Sequence, residues 1–441
     1  MGRSRAAKGD ALNFVELIAK KRDGGELSPD EVRAFVAAAS NGHAGDEQLA
    51  AMLMAICIRG ATSRETHALV EAMRDSGARW AIGDVYPEAV DKHSTGGVGD
   101  TVSLVFAPLV AACGVPVVMM AGAGLGHTQG TLDKLVAMPG FRAVTSKREA
   151  VERLESCGVC FAAQSDEIAP ADKKLYLLRD VTATVPSLPL IVASIMSKKL
   201  AVGAPRLVLD IKSGTGAFFK APEAAAEMAE ALVGVARAAG VAVRASVTDM
   251  SEPLGDRLGC ASEVRAALAV LAGGGDARLR ELSLALASDA LVLAGRTPES
   301  AGHEAERMLA SGKARARFEA LVRAHGGDPS ESALAQPRRV ATVTAARAGF
   351  VGAIEAEALG WIAVALGAGR RHQDDVVDAA AGIKVDARVG DRVGVGQPLV
   401  ELELGTREAD VENLAERARA AFTIAEHAPP AKALVLARLQ G

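Results

Sequence analysis

The sequence predicts a mixed α/β fold: a small, discontinuous helical domain, a large α/β domain and a C-terminal α+β subdomain. Three observations carry this expectation. The first 75 residues pair helix-capping signals with apolar residues at three- and four-residue spacing. From about residue 88, short apolar runs ending in glycine or polar residues alternate with apolar helical patterns, which implies a parallel sheet covered by helices. After about residue 335 the pattern changes to short strands punctuated by glycine and aspartate. The expected boundaries are 1–75 for the helical domain with 170–201 returning to it, 85–165 and 202–332 for the central α/β domain, and 338–441 for the C-terminal subdomain.

Each element has a local reason. Ser28-Pro29-Asp30-Glu31 reads as an N-cap, a proline at the first helical position and a glutamate that reaches back to the cap. Thr62-Ser63-Arg64-Glu65 repeats the capping pattern ahead of "THALVEAMRDSG". Between Asp100 and Asp133 no residue carries a formal charge, and by length alone this stretch could span a bilayer. Pro108, Gly114 and Pro116 interrupt it, so a buried helix followed by a buried strand is expected instead. "VPVVMMAG", "GVCFAAQ" and "RLVLDIK" read as strands, and "APEAAAEMAEALVGVARAAG" reads as a helix. Further helix from Asp172 to Leu200 interrupts the alternation. "RVGDRVGVGQPLVELEL" supplies the short C-terminal strands.

Composition excludes several function classes. The chain of 441 residues is 49% hydrophobic and 24% charged, a globular balance. The net charge of −4 lacks the basic excess that nucleic-acid binding leaves, so no nucleic-acid partner is expected. Five cysteines, an odd number, argue against a disulfide framework. Cys157 and Cys160 form a lone CxxC with no second pair or suitably spaced histidines, so they read as small core residues and no metal is expected. The stretch "MGRSRAAKGDALNF" has no apolar run behind its basic residues, and Ala6 breaks the myristoylation pattern. The expected setting is cytoplasmic, without a membrane partner.

Four polar or glycine-rich clusters stand in apolar surroundings. In the first, "DKHSTGGVGDTVS", Lys92, His93, Ser94 and Thr95 precede Gly96, Gly97 and Gly99. A lysine charge, hydroxyls and glycine amides together suit a phosphate. The lysine comes before the glycines, so this is not a P-loop. The second, "MAGAGLGHTQGTLDKL", places Gly122, Gly124 and Gly126 at every second position and lacks the dinucleotide spacing. Thr128 and Thr131 add donors beside His127, and an anion site and a structural turn both fit these residues. The third joins "DKKLYLLRDVTATVPS" to "ASIMSKKLA" and holds Arg179, Ser194 and Lys198. Ser194 and Lys198 share a helix face. With the arginine fork they suit the carbonyls and ring nitrogens of a flat heterocycle, with a solvated charged face as the alternative. The fourth, "LDIKSGTGAFF", ends a strand at Lys212 and reads as packing near the site.

Taken together, "KHSTGGVGD", "GLGHTQGTLDKL", "LRDVTATV", "SIMSKKLA", "DMSEPLG" and "EALGWIAVALGAGRR" resemble the thymidine and pyrimidine-nucleoside phosphorylase family nearly end to end. The resemblance implies a helical domain and a larger α/β domain with the site in the cleft between them, closing to exclude water, and homodimers that pair through the helical domain. It implies phosphorolysis of thymidine to thymine and 2-deoxy-α-D-ribose 1-phosphate, with phosphate as co-substrate and no cofactor. Lys92, Ser94, Ser103 and Thr131 would hold phosphate. Arg179, Ser194, Lys198 and Tyr176 would bind the pyrimidine, and His93, Arg179 and Lys198 would be catalytic. Met119 falls where broad-specificity members tend to carry lysine, which tilts the expectation towards 2′-deoxynucleosides.

The departures cluster in the glycine loop. The family normally reads Ser-Gly-Arg-Gly where this chain has Ala121-Gly122-Ala123-Gly124. A hydrogen bond to a charged group is worth roughly 1.5–3 kcal/mol, so losing one weakens phosphate handling by about one to two powers of ten. Gln129 and Val136 replace a usual glycine and glutamate, and Cys260 and Ser262 a usual asparagine and leucine. Two alternatives follow: a member with an altered substrate or acceptor, and a weakly active nucleoside-binding protein. The retained Lys92, His93, Arg179, Ser194 and Lys198 argue against the second.

Overall fold

The computed structural model describes residues 13–122, 124, 126–370 and 375–440; Ala123 lies outside the described residues. In chain order the elements are α1 (Phe14–Arg22), α2 (Pro29–Asn41), α3 (Asp46–Arg59), α4 (Ser63–Asp75), β1 (Val90–Ser94), α5 (Val102–Ala112), β2 (Val117–Ala121), α6 (Thr131–Val136), α7 (Lys147–Cys157), β3 (Val159–Ala163), α8 (Pro170–Val181), α9 (Leu188–Val202), β4 (Arg206–Ser213), α10 (Pro222–Ala238), β5 (Ala242–Asp249) and β6 (Arg257–Leu258). They continue with α11 (Cys260–Leu271), α12 (Ala277–Leu293), α13 (Pro298–Ala310), α14 (Lys313–Ala324), β7 (Arg339–Thr344), β8 (Gly349–Ile354), α15 (Ala356–Leu366), β9 (Gly382–Val385), β10 (Arg392–Val393), β11 (Pro398–Leu404), α16 (Val411–Ala420), β12 (Phe422–Ala425) and β13 (Val435–Gln440). The mixed α/β class is as expected from the sequence. The chain divides into two compact units, Met1–Ala81 with Ser165–Gly203, and Ile82–Gln164 with Ala204–Gly441.

The first unit is helical. Both capping boxes form: Ser28 accepts from the Glu31 amide at 3.3 Å while Glu31 accepts from the Ser28 amide at 2.6 Å, and Thr62 and Glu65 repeat the exchange. Satisfying two otherwise orphaned amides at each helix start fixes where the helices begin. Glu65 does more than cap. It is 2% exposed and also accepts from Lys21 Nζ at 2.7 Å and the Leu27 amide at 2.8 Å, tying α1 and the following loop to α4. Phe35, Leu49, Met52, Leu53 and Leu69 fill the centre, and α9 packs on α4. The Trp80 amide donates to the Ala201 carbonyl at 2.8 Å, which fastens the returning segment.

The second unit is built on a six-stranded sheet of order β13-β5-β4-β1-β2-β3, parallel except for β13, which runs antiparallel to β5. The uncharged stretch resolves into α5, buried along residues 102–111, and β2, as its composition required. Both faces of the central strands are covered, so they carry continuous apolar runs instead of alternation. The returning β13 was not legible: "VLARLQ" is mostly exposed and its alternation is weak, so only tertiary pairing marks it as a sheet edge. Strands β7 to β12, joined by β6 from the central region, form two small antiparallel sheets, β10-β8-β12 and β6-β9-β11-β7, with α15 and α16 contributing to the same apolar cluster. Cys157 and Cys160 are buried. Among the described residues no helix is long and apolar enough to cross a membrane.

Candidate active site

Open parallel sheets gather ligand-binding groups at the C-terminal ends of their strands, and here those ends are polar. β1 is buried from Val90 to Lys92 and comes to the half-buried His93 and Ser94. Gly99 follows with φ +71°, a conformation that side chains disfavour, and lets the chain turn into α5. The turn brings Ser103 back towards β1, where Lys92 Nζ donates to Ser103 Oγ at 3.3 Å. Ser94 Oγ donates to Asp100 Oδ2 at 2.5 Å and accepts from the Gly96 amide at 3.1 Å. Lys92 with Ser103 and Ser94 with Asp100 are thus two bonded pairs, joined through Asp210 and Lys212. Thr131 is half-buried in the first turn of α6, and Lys134, on that same short helix, donates to the Asp100 carbonyl at 2.5 Å.

A buried charge network lies beneath these donors. Asp210 and Lys212, two apart on β4, are both fully buried. Asp210 lies 3.3 Å from Lys92 Nζ and 2.8 Å from Lys212 Nζ, and it accepts from Thr248 at 2.8 Å. Lys212 also lies 3.8 Å from Asp100. Lys134 pairs with Glu263 at 2.7 Å, and Thr101 donates to the same carboxylate at 2.9 Å. Three lysines therefore face three carboxylates out of water, and each charge has a counterpart, as burial demands. Burial pushes the Asp100 carboxyl up, but Lys212, Lys92 and Lys134 outweigh it and hold the group well below the usual carboxylate range. Lys212, expected as packing, is a charged member of this network. Its signal was the period-2 spacing of Asp210 and Lys212, which puts both on one strand face.

Tyr176, Arg179, Ser194 and Lys198 lie in the helical unit. Asp172, Tyr176 and Arg179 stand at helical spacing along α8, while Ser194 and Lys198 face one another on α9. Lys198 Nζ donates to Ser194 Oγ at 3.0 Å and to Asp172 Oδ2 at 2.5 Å. Asp172 was missed in the sequence, although its spacing to Tyr176 and Arg179 marks a shared face. Arg179 is 3% exposed and largely committed to the backbone: its guanidinium donates to the carbonyls of Thr184, Val185 and Leu190 at 3.4, 2.7 and 3.1 Å. It also lies 5.7 Å from the centre of the half-buried Tyr176 ring, within cation–π range. Burial lowers the Arg179 pKa and raises that of Tyr176. Met119 sits within β2, is 3% exposed and packs in the apolar core of the α/β unit. Ala121, half-buried, ends the same strand.

Comparison with known proteins agrees with this architecture. The a/b domain model of the glycosyl transferase family matches residues 86–315, its helical bundle domain matches 15–77, and the pyrimidine nucleoside phosphorylase C-terminal domain matches 350–425. This chain belongs to that family. The pyrimidine-nucleoside phosphorylase of Bacillus subtilis (strain 168) is 44% identical over 405 residues, 90% of this chain and 94% of the relative. The thymidine phosphorylase of Sinorhizobium medicae (strain WSM419) is 43% identical over 96% of this chain and 98% of its own. That of Mycobacterium tuberculosis (strain ATCC 25618 / H37Rv) is 45% identical over 97% and 99%. A crystal structure of anthranilate phosphoribosyltransferase from Thermus thermophilus shares the fold, with a TM-score of 0.58 and 22% identity over 70% of this chain and 99% of that one. Both polar groupings described above fall within residues 86–315, the part of the chain that the a/b domain model matches.

Proposed function

We propose that this member of the pyrimidine-nucleoside phosphorylase family converts thymidine and phosphate to thymine and 2-deoxy-α-D-ribose 1-phosphate. The observation that carries this reading is the presence in a family member of two donor sets, one within each unit: Lys92, Ser94 and Ser103 joined around Asp100 and Asp210, and Ser194 with Lys198 held by Asp172. The first set, with Thr131, would hold phosphate through hydroxyls and an ammonium. The second would meet the pyrimidine carbonyl and ring nitrogen, with Tyr176 and Arg179 beside it. Cleavage of the glycosidic bond leaves negative charge on the base and positive charge on the sugar. Donors fixed in advance at the base stabilise the leaving charge. His93, next to Lys92 on β1, would donate a proton or hydrogen bond to the base carbonyl. Phosphate attack on the opposite face of the anomeric carbon inverts it. The chemistry requires no metal or organic cofactor. Met119 offers no donor to a 2′-hydroxyl, which favours deoxynucleosides.

The same proposal includes a cytoplasmic homodimer. Val15, Met54, Ile58, Leu177 and Val181 are exposed apolar residues on α1, α3 and α8, helices of one unit that pack together. Exposed apolar residues on neighbouring helices suit burial against a second copy of the same chain. Lysine substitutions at Met54 and Ile58 should yield monomers in sedimentation velocity, and an unchanged sedimentation coefficient rejects that surface.

Thymine release from thymidine, followed with and without phosphate, tests the activity. Release only with phosphate is expected, and no release in either condition overturns the reading. Ala121 favours one second reading, an altered acceptor, which phosphate-independent release would support.

A further inference from the structure

We propose that Asp133, anchored by Arg370, is a positioning residue for the anion half-site. The inference rests on the assignment of Lys92, Ser94, Ser103 and Thr131 to phosphate. The segment between β2 and α6 begins after Ala121, which carries no side-chain donor, and ends at Thr131. Its described residues Gly124 and Gly130 are held from α6. Asp133 Oδ2 accepts from the Gly124 amide at 2.6 Å and from the Gly130 amide at 3.0 Å, so a single carboxylate oxygen pins two residues six positions apart. The two backbones touch at this point. A Cβ on Gly124 would lie 2.6 Å from the Gly130 nitrogen and 2.9 Å from the Gln129 Cα. The other carboxylate oxygen accepts from Arg370 Nη1 at 2.8 Å, and the Asp133 side chain is only 8% exposed.

Helix capping alone does not account for this arrangement. Capping α6 needs only the Gly130 amide, and α6 has six residues. The bonds to Gly124 and Arg370 lie beyond that role. Arg370 follows α15, so the C-terminal region, whose Trp361 ring already lies 5.8 Å from His127, adds a guanidinium to this loop. Where the family's serine and arginine side chains are replaced by Ala121 and Ala123, phosphate must rely more on Thr131, whose helix start Asp133 ties to Gly124 and Arg370. A carboxylate that accepts from three donors orients them together, and each such charge-assisted bond is strong.

The test uses the full-length protein and the variants Asp133→Asn, Arg370→Ala and Arg370→Lys. The KM for phosphate should rise about tenfold or more in Asp133→Asn and Arg370→Ala, in line with loss of a charge-assisted bond. The KM for thymidine and kcat at saturating phosphate should stay within about twofold, and Arg370→Lys should restore much of the phosphate affinity. Equal shifts in both KM values, or no shift, overturn the inference. A second readout does not depend on turnover: inorganic phosphate should raise the Tm of the unmodified protein and raise it much less in Arg370→Ala. If phosphate stabilises the unmodified protein without thymidine being cleaved, the activity assignment fails while the positioning role is still measured. Equal stabilisation in both proteins, or none in either, overturns the positioning role.

Discussion

Lys198 and Asp172 meet at 2.5 Å between α9 and α8, and the carboxylate is almost fully buried while the ammonium keeps partial exposure. The pair fixes a cation beside the Ser194 hydroxyl, 3.0 Å away. An unpaired lysine would lose that aim to rotamer freedom.

Asp172→Asn should therefore raise the KM for thymidine by about tenfold, the scale of one lost charge-assisted bond, and leave the KM for phosphate within about twofold. Steady-state kinetics with each substrate varied in turn measures the split. An unchanged KM for thymidine counts against the role given to this pair.

Ala121→Ser should lower the KM for phosphate, since it returns a hydroxyl donor to the end of β2. Initial rates at varied phosphate and saturating thymidine check this. A higher or unchanged value removes Ala121 from the phosphate site.

Arg179→Lys should destabilise the protein by about 2 kcal/mol or more. A lysine ammonium cannot reproduce the fork that serves three carbonyls, and buried acceptors left without donors are costly. Urea denaturation should show a lower midpoint. An equal midpoint with lost activity would instead make Arg179 purely a ligand-contacting group.

Acid should weaken the fold through His325. Its ring stacks on Phe141 at 4.8 Å, and Nδ1 lies 2.8 Å from the Arg142 carbonyl. Burial lowers its pKa to about 4 from 6.5. Between those values the unfolded chain binds a proton that the folded chain does not, so stability rises with pH across that window and is lost on acidification. The contribution is of the order of 3 kcal/mol at most. His325→Asn should flatten the slope of stability against pH between 4 and 6.5, and an unaltered slope assigns the acid sensitivity elsewhere.

Local rules made much of this molecule legible. The two capping boxes, the uncharged helix and strand, and the strands "VVMMA" and "RLVLDIK" follow from caps, charge and apolar runs that act within a few residues. The chemistry was legible where donors sit together in sequence, as in Lys92 to Ser94. It was hidden where partners come from distant segments. Asp210 and Lys212 meet Lys92 only because β4 lies beside β1, and Glu263 meets Lys134 from far along the chain. Arg179 was read as a ligand for the base, and its commitment to three carbonyls depends on how residues 184–190 fold back, which no spacing rule reports.

The antiparallel pairing of β13 with β5 also bears on solubility. Residues 435–440 cover one side of β5, so the mostly buried β5 is an inner strand and the mostly exposed β13 takes the edge. An unpaired edge strand is a template for wrong partners. Substitutions that unpair residues 435–440 would therefore bare the backbone of a buried strand and should turn a well-behaved protein into an aggregating one.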